Sequence, residues 1–160
     1  MKIDMNQKGG EQSRGFTLIE VLIVIGIIAV LAAVVLVAVN PARQFKLARD
    51  AQRTSNVNAI LNTVGQNMAE HHGLFVCGAD TSPTAIPLTS TMIRSTGGFD
   101  LARCVVPAYI SILPIDPTAD GAHFTTMTDY DTGYVIYSDA QGRITASSTG
   151  EITTSISVTR

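Results

Sequence analysis

Gly15-Phe16-Thr17-Leu18-Ile19-Glu20 opens an apolar run that continues as far as Val39. Residues 16–39 hold one charged side chain, Glu20, and no proline. At about 1.5 Å rise per residue a helix of this length measures roughly 36 Å, against about 30 Å of bilayer hydrocarbon. A secretory signal has an apolar region of only about 7–15 residues followed by an A-x-A pattern. No such pattern lies in this run or just after it, so the run reads as a segment that stays in the chain. Glu20 is its odd feature. A carboxylate at membrane depth costs about 2.5–3.5 kcal/mol on insertion scales, which makes a functional role the default. The alternative is a side chain near the helix end that reaches the headgroups at little cost.

The string Arg14-Gly15-Phe16-Thr17-Leu18-Ile19-Glu20-Val21-Leu22 resembles, almost residue for residue, the processing site of type IV pilins and type II secretion pseudopilins, a class III signal peptide. The resemblance covers the first quarter of the chain closely and the rest only in layout. It implies that a membrane peptidase cuts between Gly15 and Phe16, and that Phe16 is then methylated on its new amine. It further implies that Glu20 pairs with the N-terminal amine of a neighbouring subunit in a filament. An N-terminus in the cytoplasm also rests on the resemblance. The positive-inside count does not supply it, because Lys2, Lys8 and Arg14 precede the run while Arg43, Lys46, Arg49 and Arg53 follow it.

A chain of 160 residues is one domain's worth. Losing residues 1–15 removes three basic and two acidic side chains, so the remainder is one charge more negative than the formal −2 of the whole. That mildly acidic balance gives no general case for nucleic-acid binding. Beyond the apolar run lies a Thr/Ser/Gly-rich sequence without tryptophan, able to bury a modest core.

Within the run, Gly26, Ala29 and Ala33 are small, and Ala29 and Ala33 have the small-xxx-small spacing that lets membrane helices approach closely. The same composition is also simply common in membrane helices. Asn40-Pro41 predicts a kink or local loss of helix, since proline has no N–H and crowds the carbonyl of Val37. Helical pattern resumes at Ala42, and Val57, Ile60, Leu61, Val64 and Met68 form one apolar stripe. Residues 46–56 are mostly polar and read as an exposed neck. Gly73 after His71-His72 is a stop, so one kinked helix is expected from Phe16 to His72. Residues 74–100 read as a loop-rich connector, and residues 105–113 as a short helical turn before Pro114-Ile115-Asp116-Pro117. Three strands are expected at 132–138, 143–148 and 152–158, joined by short turns into an antiparallel meander.

The cysteines Cys77 and Cys104 fall in the part that the resemblance places outside the cytoplasm. One disulfide is expected there, closing a loop of about 28 residues, with two free thiols or metal ligation as alternatives. His71, His72 and Cys77 make a poor metal set, because adjacent helical histidines point about 100° apart. Asp116, Asp120, Asp129, Asp131 and Asp139 invite a calcium reading that some pseudopilins share. The segment from Asp129 lacks the EF-hand glycine and glutamate, with Tyr134 and Ala140 in their places, and solvated turn aspartates account for the group. Arg43, Lys46, Arg49 and Arg53 fall within about a 120° arc of a helix. They read first as a solvated basic face beside the membrane, with lipid headgroups, subunit contacts or DNA as other partners. For catalysis there is no G-x-x-x-x-G-K-[ST] loop, no C-x-x-C pair and no defensible Ser-His-Asp spacing, and His123 stands alone.

The expectation is an α+β, pilin-like chain. It has a cleaved basic leader at 1–15, a membrane-spanning, filament-core helix with its neck at 16–56, and a globular head at 57–160 with about three antiparallel strands on the helix. The function implied is a structural filament subunit, with no enzyme activity, cofactor or metal. The implied partners are copies of itself, a prepilin peptidase/methyltransferase, an assembly platform with a separate ATPase motor, and the cytoplasmic membrane before assembly. A type II secretion pseudopilin is the alternative within the family. From another class, a non-assembling single-pass membrane protein with a small ligand-binding domain would keep residues 1–15.

Overall fold

The computed structural model describes residues 15–78 and 82–160. The leader expected at 1–15 lies outside these except for Gly15. The chain forms two compact units, Met1–Pro41 and Ala42–Arg160.

The first unit contains α1, Leu18–Val39, whose residues are all exposed. Its start is fixed by Thr17, the N-cap, in an extended conformation. Its end is fixed by Asn40, which turns left-handed at φ 45°, and by Pro41, which brings no N–H to a fourth carbonyl back. At about 1.5 Å per residue α1 is roughly 33 Å long, and by length and composition it can cross a membrane.

All of α2, Pro41–Glu70, except its first residue belongs to the second unit. Proline suits a first helical position, where its φ is preset and its missing N–H would have had no intrahelical partner. The expected single kinked helix is thus two helices, broken at Asn40. The far end of α2 closes as expected near Gly73: its N–H donates to the Met68 carbonyl at 2.8 Å, with His72 and Gly73 at φ 56° and 90°. The apolar stripe Val57, Ile60, Leu61 and Val64 is buried, with Met68 packed half-buried against it.

That stripe lies on a five-stranded antiparallel sheet made of β1 Thr91–Arg94, β2 His123–Thr126, β3 Asp129–Ser138, β4 Ile144–Ser148 and β5 Ile156–Thr159. The order is β1-β3-β4-β5, and β2 pairs with the start of β3 on the edge opposite β1, since Asp131 is the partner of both Arg94 and His123. Along β3 the period of two puts Tyr130, Thr132, Tyr134 and Ile136 inward; Tyr130, Tyr134 and Ile136 join one core cluster with the stripe, Ile144 and Ala146. A four-residue helix, α3 Ala102–Val105, adds Ala102, Cys104 and Val105 to the core. It begins three residues before the helical turn expected at 105–113.

Two corrections concern strands. β1 and β2 were not expected, because their short Thr-containing stretches alternate only weakly and are defined by pairing with β3. The last strand starts at Ile156 and not at Ile152, because residues 151–153 give their backbone N–H groups to a side chain of α2 instead of to a ladder.

Candidate functional site

Residues of two kinds sit where chemistry is concentrated. The first group surrounds the Gly15–Phe16 bond. Gly15 and Phe16 precede α1 in non-helical backbone, and Phe16 is 86% exposed. Among the described residues no atom other than its chain neighbours lies within 4 Å of where a Gly15 side chain would begin.

The next turn is held by a reciprocal capping box, in which Thr17 Oγ1 accepts from the Glu20 N–H at 3.3 Å. Glu20 Oε2 in turn accepts from the Thr17 N–H at 3.1 Å and the Thr17 hydroxyl at 2.9 Å. A carboxylate at this position satisfies an orphan donor and faces the positive end of the helix dipole. Its consequence is directional: Glu20 is folded back to within one residue of the nitrogen that cleavage after Gly15 would expose as an amine. The Thr17-x-x-Glu20 spacing of a capping box carries this in the sequence. Gly26, Ala29 and Ala33 fall within about a 60° arc of α1 at 100° per residue, forming one low ridge of small side chains.

The second group joins α2 to the head. Arg53 is 3% exposed and is the hub. Its Nε and Nη2 grip the two oxygens of Asp116 at 2.8 and 3.1 Å, and Nη1 reaches Asp50 at 2.8 Å and Glu151 at 3.2 Å. Arg49 makes a second fork to Glu151 at 2.5 and 2.6 Å. Asp50 accepts from the backbone N–H groups of Glu151, Ile152 and Thr153 at 2.8–3.1 Å. Those three N–H groups, ahead of Arg53, hold the Asp50 carboxyl far below its ordinary range. Arg49, then Arg53, lowers Glu151 to about 2 against its own desolvation. Burial raises Asp116, but Arg53, the N–H groups of Thr118 and Ala119, and the Ser148 hydroxyl together outweigh it and leave a net lowering.

This cluster corrects three expectations. The neck at 46–56 is exposed only in part, since Asp50 and Arg53 are buried. The basic face divides: Arg49 and Arg53 are spent on internal carboxylates, while Lys46 and Arg43 remain on exposed positions. Asp116 is a buried ion-pair partner and not a solvated turn residue. The signal for this was hidden, because two arginines and an aspartate on a helix look alike whether water or a head covers them.

The remaining turn aspartates have local partners. Asp129 meets His123 at 3.2 Å, Asp131 meets Arg94 at 3.8 Å, and Asp139 meets Arg143 at 2.7 Å. The Gly121 carbonyl, followed by Asp129, raises the His123 pKa. His71 Nδ1 lies 2.7 Å from the Asn67 carbonyl, and Cys77 is bonded to Cys104, so His71, His72 and Cys77 do not form a ligand set. Among the described residues no three His, Cys, Asp or Glu side chains are grouped as metal ligands. Near the disulfide, Asn67 of α2 pairs with Val76 through both its carbonyl and amide, at 2.9 and 2.8 Å, and so pins the start of the bridged loop.

The chain matches the family model of the prokaryotic N-terminal methylation motif over residues 12–36. The match takes in Gly15, Phe16, Glu20 and the small-residue ridge, and most of α1. No curated protein and no solved structure matches the chain.

Proposed function

We propose that this chain is the structural subunit of a type IV pilus-like filament, cut by a prepilin peptidase between Gly15 and Phe16, methylated on Phe16 and polymerised through α1. The observation that carries the reading is the methylation motif at residues 12–36, set at the start of a helix long and apolar enough to cross a membrane. The motif in general marks a pilin- or pseudopilin-like precursor that a prepilin peptidase processes.

Three features support the finer steps. Gly15 and Phe16 are exposed among the described residues. Glu20 is held by Thr17 beside the nitrogen that cleavage frees. Gly26, Ala29 and Ala33 share one side of α1, where a second helix approaches closest. In this reading the precursor sits in the cytoplasmic membrane with its N-terminus inside, and the head, stapled by Cys77–Cys104, faces an oxidising compartment. A separate motor supplies the energy of growth. The filament lies outside the cytoplasm, on the surface for a pilus or in the periplasm for a secretion pseudopilin.

The test is the intact mass and N-terminal residue of the protein recovered from its native cell envelope. A chain that starts at Phe16 and is heavier by one methyl group is the expected result. A chain that still carries residues 1–15 would mean a plain membrane anchor and would end the filament reading.

A further inference from the structure

The outer strands of the sheet in the second unit are finished differently. β1 is covered, because the Phe99 N–H donates to the Met92 carbonyl at 2.8 Å and the Arg94 N–H donates to the Phe99 carbonyl at 3.2 Å. Its register is also broken between Met92 and Arg94. On β2 the register breaks between Phe124 and Thr126, and His123 pairs with Asp129. Covering segments, bulges and charges are the devices that keep an edge strand from pairing with another chain. β5 has none of them. It pairs with β4 in unbroken register from Ile156 to Thr159, and residues 152–159 hold no charge, no proline and no glycine.

The ladder to β4 fixes which backbone groups of β5 are left over. Ile144 and Arg160 exchange both N–H to carbonyl bonds, at 2.7 and 2.9 Å. Antiparallel pairs alternate, so Val158 and Ile156 also face β4, while Ser157 and Thr159 turn their N–H and C=O groups away from it. Among the described residues no backbone group meets them there. A groove of about 420 Å³ lies beside the strand, with Leu47, Ala51 and Thr54 of α2 on its far wall. Such a row of donors and acceptors is matched by another extended backbone, and β5 matches itself. Run antiparallel about Ser157, two copies let Ser157 exchange two bonds with the partner's Ser157, and Thr159 two with the partner's Ser155. Ile156 then falls opposite the partner's Val158 on the core side, a β-branched apolar pair. Arg160 falls opposite the partner's Thr154, so no like charges meet. We propose that β5 is a self-association edge, at which the second unit pairs antiparallel with the second unit of another copy of this chain, centred on Ser157. With β1 covered, the pairing uses one edge per copy and closes at two. It concerns the second unit alone and does not rest on the filament reading.

Both cysteines are bridged, so Ser155→Cys gives the full-length chain a single thiol for a nitroxide spin label. In the pair the two labelled positions lie four residues apart along the strands, about 14 Å, close enough for dipolar broadening of the electron spin resonance spectrum. In detergent the broadening should grow with protein concentration and fall when unlabelled chain is added. The Ser157 side chain is exposed, so Ser157→Lys and Ser157→Glu leave the fold of a single copy intact while setting like charges directly across the two-fold axis. Each alone should weaken the pairing. An equal mixture of the two, both carrying the label, should pair roughly fivefold more tightly than either, from one opposite-charge cross-strand pair. Association through α1 gives broadening that ignores residue 157. Broadening that is absent, or the same for Ser157→Lys, Ser157→Glu and their mixture, would overturn the proposal.

Discussion

Arg53→Met tests whether the buried ion cluster holds the head onto α2. Methionine keeps most of the apolar stem and removes the guanidinium that reaches Asp116, Asp50, Glu151 and Thr118. Removing one partner of a buried pair costs about 3–5 kcal/mol, because the other charge stays buried and uncompensated. Here the lower end applies. Asp50 keeps its three backbone N–H donors, and Asp116 keeps Ser148 and the N–H groups of Thr118 and Ala119 at 2.9 Å each. A loss of about 3 kcal/mol in a unit of this size lowers the Tm by roughly 10 °C.

The assay is urea unfolding of the full-length chain in detergent, followed by the near-ultraviolet signal of the buried Tyr130 and Tyr134. Those tyrosines report the head and not α1. Arg53→Lys should fall between the two, because an ammonium keeps the charge but cannot form the fork to Asp116. Adding Asp116→Asn to Arg53→Met should restore part of the loss, since the second change removes the stranded charge. A loss below about 1 kcal/mol for Arg53→Met, or full additivity in the double variant, would refute the cluster as a latch.

Acid should loosen the same latch. Glu151 is lowered from 4.5 to about 2 by Arg49 and Arg53, so its contribution is complete above about pH 4.5 and is lost as pH falls towards 2; Glu151→Gln should flatten that part of a stability–pH curve measured by thermal unfolding. Gly133 sits at φ +73° where a Cβ would come within 2.8 Å of Ala119 Cβ and 2.9 Å of Asp116 Cβ. Gly133→Ala should therefore cost about 2–4 kcal/mol from backbone strain and overpacking together, read as a lower urea midpoint. Breaking the Cys77–Cys104 bridge by Cys104→Ser should cost roughly 3–4 kcal/mol by chain entropy, and a midpoint unchanged from the oxidised parent would show that the loop is held by Asn67 alone. Glu20→Ala should leave membrane insertion intact and reduce filament yield; normal yield would separate Glu20 from assembly.

What the sequence made legible follows from how local each signal is. α1 was plain because an unbroken apolar run is its own argument, and the α2 stripe because its residues repeat at 3, 4 and 7. β3 and β4 showed through alternation and through the turn at Asp139, whose carboxylate takes the Gln141 and Arg143 N–H groups at 2.9 Å. The start of β5 was misplaced because Asp50, about 100 residues earlier in the chain, captures the backbone of residues 151–153. β1 was missed for a related reason: Thr91 and Met92 find their ladder partners at Ile136 and Val135, and nothing near them in sequence demands a strand. Around the proposed cleavage site the residue types were all readable, while the reciprocal bonds between Thr17 and Glu20 show only in the folded chain. The ion cluster was the least legible part, since it joins three separated segments, 49–53, 116–119 and 148–153, and its members are the residue types most often found in water.

The bareness of α1 sets the terms on which any filament could form. None of its residues is buried among the described residues, and on the filament reading lipid or other helices cover it. Hydrocarbon is as apolar as leucine, and moving α1 from lipid into a bundle of copies therefore gains little from the hydrophobic effect. Two contributions remain. One is close packing along the ridge of Gly26, Ala29 and Ala33, which depends on backbones approaching. The other is Glu20, the single side chain in α1 whose charged form is poorly accommodated by lipid and well accommodated by an amine. On the filament reading, the first contribution supplies contact and the second supplies register, because only one axial offset between neighbours brings an amine to a carboxylate. Such a balance is close to even, and a subunit held in this way can be drawn from the membrane and returned to it by modest external work.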